Sequence, residues 1–249
     1  MGVTMAPPAP AKAGDHAPAA IDVWRADLAA ARPLREDLES ALSRDERERG
    51  SRYRFARDRE RFALARGILR VVLGDYLGSD PAAIRFAYGP FGKPGVQTAP
   101  GSPPLFFNVS HSGDQVVYGV SRAAEVGIDL EMVRTGVFEG GWSVAWLSPR
   151  EQWRVAQVTD PWQRQRTMFD LWTRKEAFLK GLGWGHRLPL HEVEAPTGSG
   201  APLAPVGPRP NAPQVAGWSV VQLDLDPGLS AALACYGCGA RVVLRRFAG

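Results

Sequence analysis

Two long segments with helical periodicity constrain the fold of this chain more than any other feature. Residues 45–78 form the first, whose later part, 62–77, has a strong apolar face and is followed by Gly78 as a stop. Residues 161–183 form the second, which also ends in glycines. Because strand-like segments lie before and after each one, the order strand–helix–strands occurs twice. The sequence therefore predicts an α+β fold.

Alternating apolar residues indicate the strands, and one serine motif indicates a further helix. Ser148, Pro149 and Glu151 suit the N-cap, the first helical position and the capping-box position of a helix. The predicted strand segments are 21–28, 83–89, 105–121 as a hairpin, 126–133, 217–226, 229–237 and 240–247.

The chain divides into two comparable halves near residues 122–126. Its 249 residues are enough for one large domain or two small ones. Residues 1–20 are rich in Ala and Pro and lack the apolar core of a secretory signal, so we predict a disordered N-terminal tail. Residues 195–213 are predicted to form a Pro/Gly-rich loop.

Charge and cysteine content narrow the classes of protein. The chain has only two Cys, which excludes a disulfide framework and fits a reducing cytoplasm. No apolar run is long enough to cross a bilayer. The net charge is +4, and arginines are concentrated in residues 44–70. Such a cluster indicates an anionic partner: a nucleic acid, a phosphorylated metabolite or an acidic protein.

The segment EVGIDLEMV holds two carboxylates inside an otherwise apolar strand. Asp129 and Glu131 are two residues apart, so both face one side of the strand while Leu130 faces the other. Two like charges this close disfavour each other unless a cation joins them, and Mg²⁺ prefers such oxygen ligands. Taken alone, the pair also fits a solvated strand face.

The segment LWTRKEAFLK supplies a third carboxylate and a cation. Glu176 and Lys180 are four residues apart on one face of the predicted helix, and Trp172 lies one turn earlier. In isolation they fit an ordinary surface pair. Together with the strand pair, Glu176 would complete a site of three carboxylates, and Lys180 could bind a phosphate oxygen that the metal also touches.

The segment FNVSHS contains a Ser–His pair that suggests a hydrolase. Adjacent strand residues point to opposite faces, so Ser110 and His111 are poorly placed as nucleophile and base. His111 fits a phosphate-binding donor better, although a structural histidine is also compatible with the sequence. The turn-rich loop at 90–95 offers backbone N–H groups and the cation Lys93, which suit a phosphate as well as an ordinary exposed turn.

Taken in order, YRFARDRERF, FGKP, FNVSHSG, GIDLE, LSPRE and WTRKEAFLKGLGWG resemble the surfactin-synthetase-type (Sfp-like) 4'-phosphopantetheinyl transferases. The resemblance runs from about Val23 to the C-terminal strands. It implies two similar α+β subdomains in a pseudo-twofold arrangement, with the active site in the cleft between them. Residues 21–124 would bind coenzyme A, and residues 125–249 would bind Mg²⁺ and carry catalysis.

The resemblance also implies an activity. The family moves the phosphopantetheine arm of coenzyme A onto a serine of an apo acyl, peptidyl or aryl carrier protein and releases adenosine 3',5'-bisphosphate, with Mg²⁺. We expect a cytoplasmic monomer whose partners are coenzyme A and an apo carrier protein, with neither nucleic acid nor membrane. The carrier, and whether it serves fatty-acid, polyketide or nonribosomal-peptide synthesis, stays open.

The family's site residues carry over motif by motif. Glu46 stands where some relatives have a lysine, and Arg47 or Arg52 could replace that phosphate contact. Either Glu176 or Glu151 could be the base that activates the carrier serine. The resemblance implies the Mg²⁺ ligands Asp129, Glu131 and Glu176. It implies the catalytic residues Glu176, Lys180, Glu151 and Lys175. For coenzyme binding it implies Arg49, Arg61, Phe91, Gly92, Lys93, Ser110 and His111.

Two other functions fit parts of the sequence. A nucleic-acid-binding protein would explain the arginine cluster and predicts a steep salt dependence of binding. A metal-dependent phosphohydrolase would explain three carboxylates with Mg²⁺ and predicts product release from coenzyme A without a carrier. The second leaves FNVSHS and FGKP unexplained.

Overall fold

The computed structural model describes the chain with several gaps. The predicted tail lies outside the described residues except for Ala20, and most of the predicted loop 195–213 lies outside them as well. No helix among the described residues is long and apolar enough to cross a membrane. The described ranges are 20–138, 144–185, 188–196, 201–202, 204–205, 215–237 and 241–248.

A four-stranded sheet organises the first half. Its strands are β1 (Ala20–Asp27), β4 (Phe106–Ser112), β5 (Gln115–Ser121) and β12 (Arg241–Arg246), in the order β12-β1-β5-β4. β4 and β5 form the predicted hairpin. β12 comes from the end of the chain and pairs in parallel with β1. The last strand therefore lies in the first sheet, although the sequence assigns it to the second subdomain.

Helices cover one face of this sheet. The predicted single helix over 45–78 is wrong, because the chain breaks at 52–55, where Phe55 is extended, and forms two helices. The second of them ends at Gly78, whose φ of +61° is left-handed, as predicted. The helices are α1 (Arg35–Ser40), α2 (Arg44–Ser51) and α3 (Ala56–Leu77). Buried leucines and Ile68 of α3 pack on Phe107 and Tyr118 of the sheet.

A second four-stranded sheet organises the other half. Its strands are β6 (Val126–Met132), β8 (Ala201–Pro202), β10 (Trp218–Leu223) and β11 (Leu229–Tyr236), in the order β6-β11-β10-β8. The helices are α4 (Pro149–Ala156), which begins at the predicted Ser148 cap, and α5 (Pro161–Leu182), which packs on the sheet. The predicted α+β fold of two halves is confirmed. Two small two-stranded sheets pair β2 (Phe86–Tyr88) with β3 (Pro94–Val96) and β7 (Val193–Glu194) with β9 (Ala204–Pro205).

The two sheets meet along β4 and β6. Apolar side chains of β1, β5, β6 and β11 form a shared core between them. Three alternate side chains of β4 then accept hydrogen bonds from backbone N–H groups of β6 at 3.0–3.2 Å, in place of a continuous backbone ladder. The acceptors are Asn108, Ser110 and Ser112, and the donors are Ile128, Leu130 and Met132 in the same order.

Gly127 allows α5 to lie directly on β6. A Cβ atom at this position would lie 2.0 Å from the carbonyl oxygen of Ala177 and 2.2 Å from the nitrogen of Gly181. Glycine is required because helix backbone occupies the space of a side chain. The close contact brings the last turn of α5 beside the acidic strand.

Candidate active site

Asp129 is the buried centre of the acidic strand. As predicted from the alternation, Leu130 is 0% exposed in the core while Asp129, which is 3% exposed, faces the other side. Its Oδ1 accepts hydrogen bonds from Ser110 Oγ at 2.9 Å and Lys180 Nζ at 2.6 Å. Its buried Oδ2 has no hydrogen-bond partner among the described residues. A buried carboxylate oxygen without a partner is a ready ligand for a cation.

Glu131 lies next to Asp129 on the same side of the strand. Its Oε2 accepts a hydrogen bond from Ser112 Oγ at 2.9 Å. Burial raises the pKa of Glu131, the Asp129 charge raises it further, and the Ser112 hydrogen bond opposes both. A divalent cation would relieve this repulsion, so the donor set on β6 fits Mg²⁺.

Lys180 connects this acidic pair to the first half. Its Nζ donates to Asp129 Oδ1 and, at 2.8 Å, to Ser110 Oγ on β4. The lysine side chain is 32% exposed, so water or a substrate can reach the ammonium. Ser110, Asp129 and Lys180 therefore form one hydrogen-bonded cluster built from three elements, which we call the acidic cluster.

Glu176 lies one helical turn before Lys180 on α5 and is half-buried. Within the described ranges, no group of three His, Cys, Asp or Glu side chains is arranged to hold a metal ion. The structure thus brings Asp129, Lys180 and Ser110 together, whereas the predicted three-carboxylate ligand set stays a prediction.

A cavity of about 450 Å³, lined by three arginines and three acidic residues, lies in the first half. It is enclosed by α2, α3, the β2–β3 hairpin and β4, and its volume suits a small-molecule ligand. Four of the residues predicted to bind coenzyme A line it: Arg49, Arg61, Gly92 and His111. Arg66, the aromatic residues Phe62 and Tyr88, and the acidic residues Asp45, Glu46 and Asp58 also line it.

His111 lines the cavity and interacts electrostatically with Lys180 and Asp129 of the acidic cluster. The imidazole is exposed to the cavity, yet the surrounding protein desolvates it. This desolvation lowers the pKa of His111, the positive charges of Lys180 and Arg61 lower it further, and Asp129 opposes them. The ring is therefore mostly neutral near pH 7, and an anion in the cavity would favour its protonation.

Three residues predicted to bind the coenzyme do not line this cavity. Ser110 is 5% exposed and is bonded within the acidic cluster. Phe91 is 43% exposed at the surface of the loop. The Lys93 ammonium donates to the Glu125 carboxylate and to the carbonyl oxygen of Gly181. Their predicted contacts with coenzyme A stay predictions.

Glu46 has a structural role where the resemblance left a phosphate contact open. It is 2% exposed and accepts hydrogen bonds from Arg66, from Arg70 and from the backbone N–H of Ser43. Neither Arg47, which donates to a backbone carbonyl, nor Arg52 lines the cavity.

Arg66 is the cavity cation that the sequence analysis missed. Its guanidinium lies 3.9 Å from the centre of the Phe86 ring and donates to the Tyr88 hydroxyl at 3.2 Å. Its position one helical turn after Phe62, another cavity residue, is the signal that could have identified it. Ser112 was missed too, although it follows Ser110 by two residues and so shares its face.

Glu151 and Lys175 form a fully buried ion pair, and both side chains are 0% exposed. Glu151 Oε2 also accepts from the N–H of Ser148 at 2.7 Å, and Oε1 accepts from the N–H of Ala195 at 2.8 Å. Lys175 also donates to the carbonyls of residues 146 and 190. Burial lowers the pKa of Lys175, and Glu151 opposes this. In this conformation the pair fastens α4 to α5 and is inaccessible to a substrate, so its predicted catalytic role stays a prediction that the geometry does not support.

These features define a class: a two-part α+β protein with an arginine-containing cavity near a strand that carries a buried and a half-buried carboxylate. Comparisons with known proteins give a more specific class. A family model described as "4'-phosphopantetheinyl transferase, N-terminal" matches residues 31–123, and one described as "4'-phosphopantetheinyl transferase superfamily" matches residues 125–216.

Individual relatives agree with the family models. The 4'-phosphopantetheinyl transferase HetI of Nostoc sp. (strain PCC 7120) is 34% identical over 219 residues, which cover 88% of this chain and 89% of the relative. A putative 4'-phosphopantetheinyl transferase of Synechocystis sp., slr0495, is 34% identical over 162 residues, 65% of each chain. Sfp of Bacillus subtilis is 28% identical over 163 residues, 64% of this chain and 70% of the relative. The chain belongs to the 4'-phosphopantetheinyl transferase family.

Proposed function

We propose that this enzyme is an Sfp-type 4'-phosphopantetheinyl transferase. It moves the phosphopantetheine arm of coenzyme A onto a serine of an apo acyl or peptidyl carrier protein, with Mg²⁺, and releases adenosine 3',5'-bisphosphate. One observation carries the proposal: a cavity of about 450 Å³ that contains three arginines reaches His111, the residue next to Ser110 of the Ser110–Lys180–Asp129 cluster. An anionic nucleotide and a carboxylate site are thereby adjacent.

The cavity residues bind the nucleotide end of coenzyme A. Arg49, Arg61 and Arg66 surround the 3'-phosphate, and His111 donates to it once an anion favours its protonation. The aromatic walls accommodate the purine, and the turn containing Gly92 borders it. This arrangement directs the pyrophosphate toward Lys180.

Asp129, Glu131 and Glu176 would hold the metal ion, and the unpartnered Asp129 Oδ2 supports this assignment within the described residues. The bound ion would supply Lewis-acid stabilisation of the pyrophosphate. The predicted second base, Glu151, is fully buried, so we assign the base to Glu176.

The residues of the chain then carry the transfer. Glu176 accepts the proton of the carrier serine, whose oxygen bonds to the phosphorus that bears the pantetheine arm. The bond from that phosphorus to the bridging oxygen breaks, and adenosine 3',5'-bisphosphate leaves with the electron pair. The Lys180 ammonium stabilises the negative charge that develops on the phosphates.

The proposal includes a monomer that acts in a reducing cytoplasm, which the presence of only two Cys in 249 residues supports. Size-exclusion chromatography with light scattering measures the oligomeric state directly. A stable dimer would contradict this part of the proposal and leave the chemistry unchanged.

Intact-mass spectrometry of carrier proteins tests the activity. The chain is incubated with coenzyme A, Mg²⁺ and a panel of apo acyl, peptidyl and aryl carriers, with parallel samples in excess chelator. We expect one added phosphopantetheine on at least one carrier, and none in chelator. No addition on any carrier would overturn the proposal. Release of product from coenzyme A without a carrier would instead indicate a phosphohydrolase.

A further inference from the structure

Lys93 bridges the two halves of the molecule. It lies between β2 and β3 of the first half, and its Nζ donates to the carboxylate of Glu125 and, at 2.7 Å, to the carbonyl oxygen of Gly181. Both acceptors belong to the second half. The lysine side chain is 17% exposed and that of Glu125 is 43% exposed, so the lysine is largely shielded while its carboxylate partner is open to solvent.

The turn that carries Lys93 contacts both the cavity and the second half of the molecule. It is closed by hydrogen bonds from Gly89 N–H to the carbonyl of Lys93 and from Gly92 N–H to the carbonyl of Gly89, each at 2.9 Å. Gly92 lines the cavity of the first half, whereas Lys93 does not. One turn therefore borders the proposed nucleotide site with its backbone and contacts the other half with its ammonium.

The two acceptors belong to the elements that carry the acidic cluster. Glu125 directly precedes β6, the strand of Asp129. Gly181 follows Lys180 in the last turn of α5, where carbonyl groups lack partners within the helix and a cation is favoured. The Lys93 ammonium thus caps the helix end that presents Lys180.

Gly183 makes room for this contact. A Cβ atom here would lie 3.0 Å from Cδ of Lys93 and 3.2 Å from its Cβ. The residue has a φ of +69° and ends α5, so the position requires glycine both for its backbone conformation and for the lysine stem packed on it.

We propose that Lys93 is a positioning residue that couples the nucleotide-binding turn to the catalytic end of α5. This inference rests on the proposed function. The ammonium holds the last turn of α5, and with it Lys180, in a fixed position relative to bound coenzyme A. Its role is to align the two halves for transfer, and the coenzyme phosphates are bound by the cavity cations.

A double-mutant cycle separates this role from direct phosphate binding. The variants are Lys93→Met, Glu125→Ala and the double variant. For Lys93→Met we expect kcat to fall about tenfold and the KM for coenzyme A to change less than about twofold, because misaligned catalytic groups slow transfer without weakening binding. Glu125→Ala should lower kcat less, and the double variant should be no worse than Lys93→Met.

The opposite pattern would overturn the inference. If the ammonium binds a coenzyme phosphate, Lys93→Met raises KM, and removing the competing Glu125 carboxylate leaves KM unchanged or lowers it. Lys93→Arg retains the charge and should recover much of kcat. Arg85→Met is the matched control, since it removes an exposed cation just before β2 and should change neither constant.

Amide hydrogen exchange gives a readout that does not depend on activity. Exchange over residues 178–183 should accelerate in Lys93→Met and Glu125→Ala and stay unchanged in Arg85→Met. An inactive wild-type protein with accelerated exchange in these variants would overturn the proposed function alone. An active wild-type protein whose kcat and exchange are both unchanged by Lys93→Met would overturn the Lys93 inference alone.

Discussion

The two halves use the same frame for different chemistry. α3 and α5 each have 22 residues, cover a four-stranded sheet and end at a left-handed glycine. α3 presents Arg61 and Arg66 to a cavity, whereas α5 presents Glu176 and Lys180 beside a carboxylate strand. This difference is the basis of the proposed division of labour, in which the first half would bind the anionic end of coenzyme A and the second half would carry the reaction.

The two halves also resemble each other in how a short helix, α2 or α4, is attached to the long helix that follows it. α2 and α4 both begin with a Ser-x-x-Glu capping box, and the glutamate of each box is buried and paired with a cation of the following long helix. Glu46 pairs with Arg66 and Arg70, and Glu151 pairs with Lys175. In the first half one of these cations also reaches the cavity, whereas in the second half the pair is sealed.

The largest expected effect is the loss of transfer when the buried carboxylate of the second half is removed. Asp129→Ala should lower kcat/KM for transfer at least about a thousandfold, because it removes the buried ligand beside Lys180 and Ser110. The carrier mass assay measures it. Asp226→Ala is the control, since it removes an acidic side chain of the same half that is 49% exposed, and should change the rate less than about twofold. Near-normal turnover of Asp129→Ala would contradict the metal assignment.

The next largest effect tests whether the buried ion pairs of the two halves contribute equally to stability. These pairs are Glu46 with Arg66 and Arg70, and Glu151 with Lys175. Lys175→Met leaves the buried Glu151 without a cation and should lower the free energy of unfolding by about 3–5 kcal/mol, whereas Arg70→Met leaves Glu46 paired with Arg66 and should lower it less. Urea unfolding measures the change. Arg44→Met, at a side chain that is 90% exposed, should change it by less than about 0.5 kcal/mol. A fully stable but inactive Lys175→Met would instead support the catalytic role predicted for Lys175.

A substitution in the cavity of the first half should weaken coenzyme A binding without slowing turnover. Arg49→Gln should raise the KM for coenzyme A about tenfold and leave kcat nearly unchanged, because a charge-assisted phosphate contact is lost while the acidic cluster is intact. Steady-state kinetics with a saturating carrier measure both constants. Arg57→Gln removes an exposed cation that does not line the cavity and serves as the control. A fall in kcat alone would contradict the division of labour.

A hydroxyl of the first half should tune the metal site of the second. Ser112→Ala removes the donor to Glu131 Oε2 and should raise the half-saturating Mg²⁺ concentration about tenfold. Ser112→Thr retains the hydroxyl and is the matched control. The rise in melting temperature on adding Mg²⁺ to the protein without substrates is a second measurement. If Ser112→Ala and the wild type depended equally on Mg²⁺, the Ser112 hydroxyl would have no effect on the proposed metal site.

The smallest expected effect is a pH dependence from His111. Burial lowers its pKa in the free protein, and a bound phosphate raises it, so the complex binds more protons than the free protein. Affinity for coenzyme A should therefore rise a few-fold as pH falls from about 7.5 to about 6, through the ordinary range of histidine. Calorimetry measures it, and His111→Gln should retain only the part due to the phosphate's own titration. Equal slopes in both proteins would contradict a phosphate contact.

Local patterns in the sequence predicted much of this frame. The alternation in EVGIDLEMV placed Leu130 in the core and both acids on the other face, and the stops at Gly78 and Gly183 were correct. The continuous helical pattern over 45–78 was misleading, because the extended Phe55 separates two helices whose packing differs. Periodicity does not reveal such a break when both sides of it favour helix.

The sequence by itself determined the main strands of both halves, the paired acids of β6 and the Ser148 capping box of α4, because each depends on residues within a few positions of one another. Only the tertiary structure decided that β12 returns to the first sheet, that Arg66 lines the cavity and that Lys93 reaches Gly181. These outcomes join residues distant along the chain. Burial and competition among acceptors select the partner of each cation, and neither is written in local spacing.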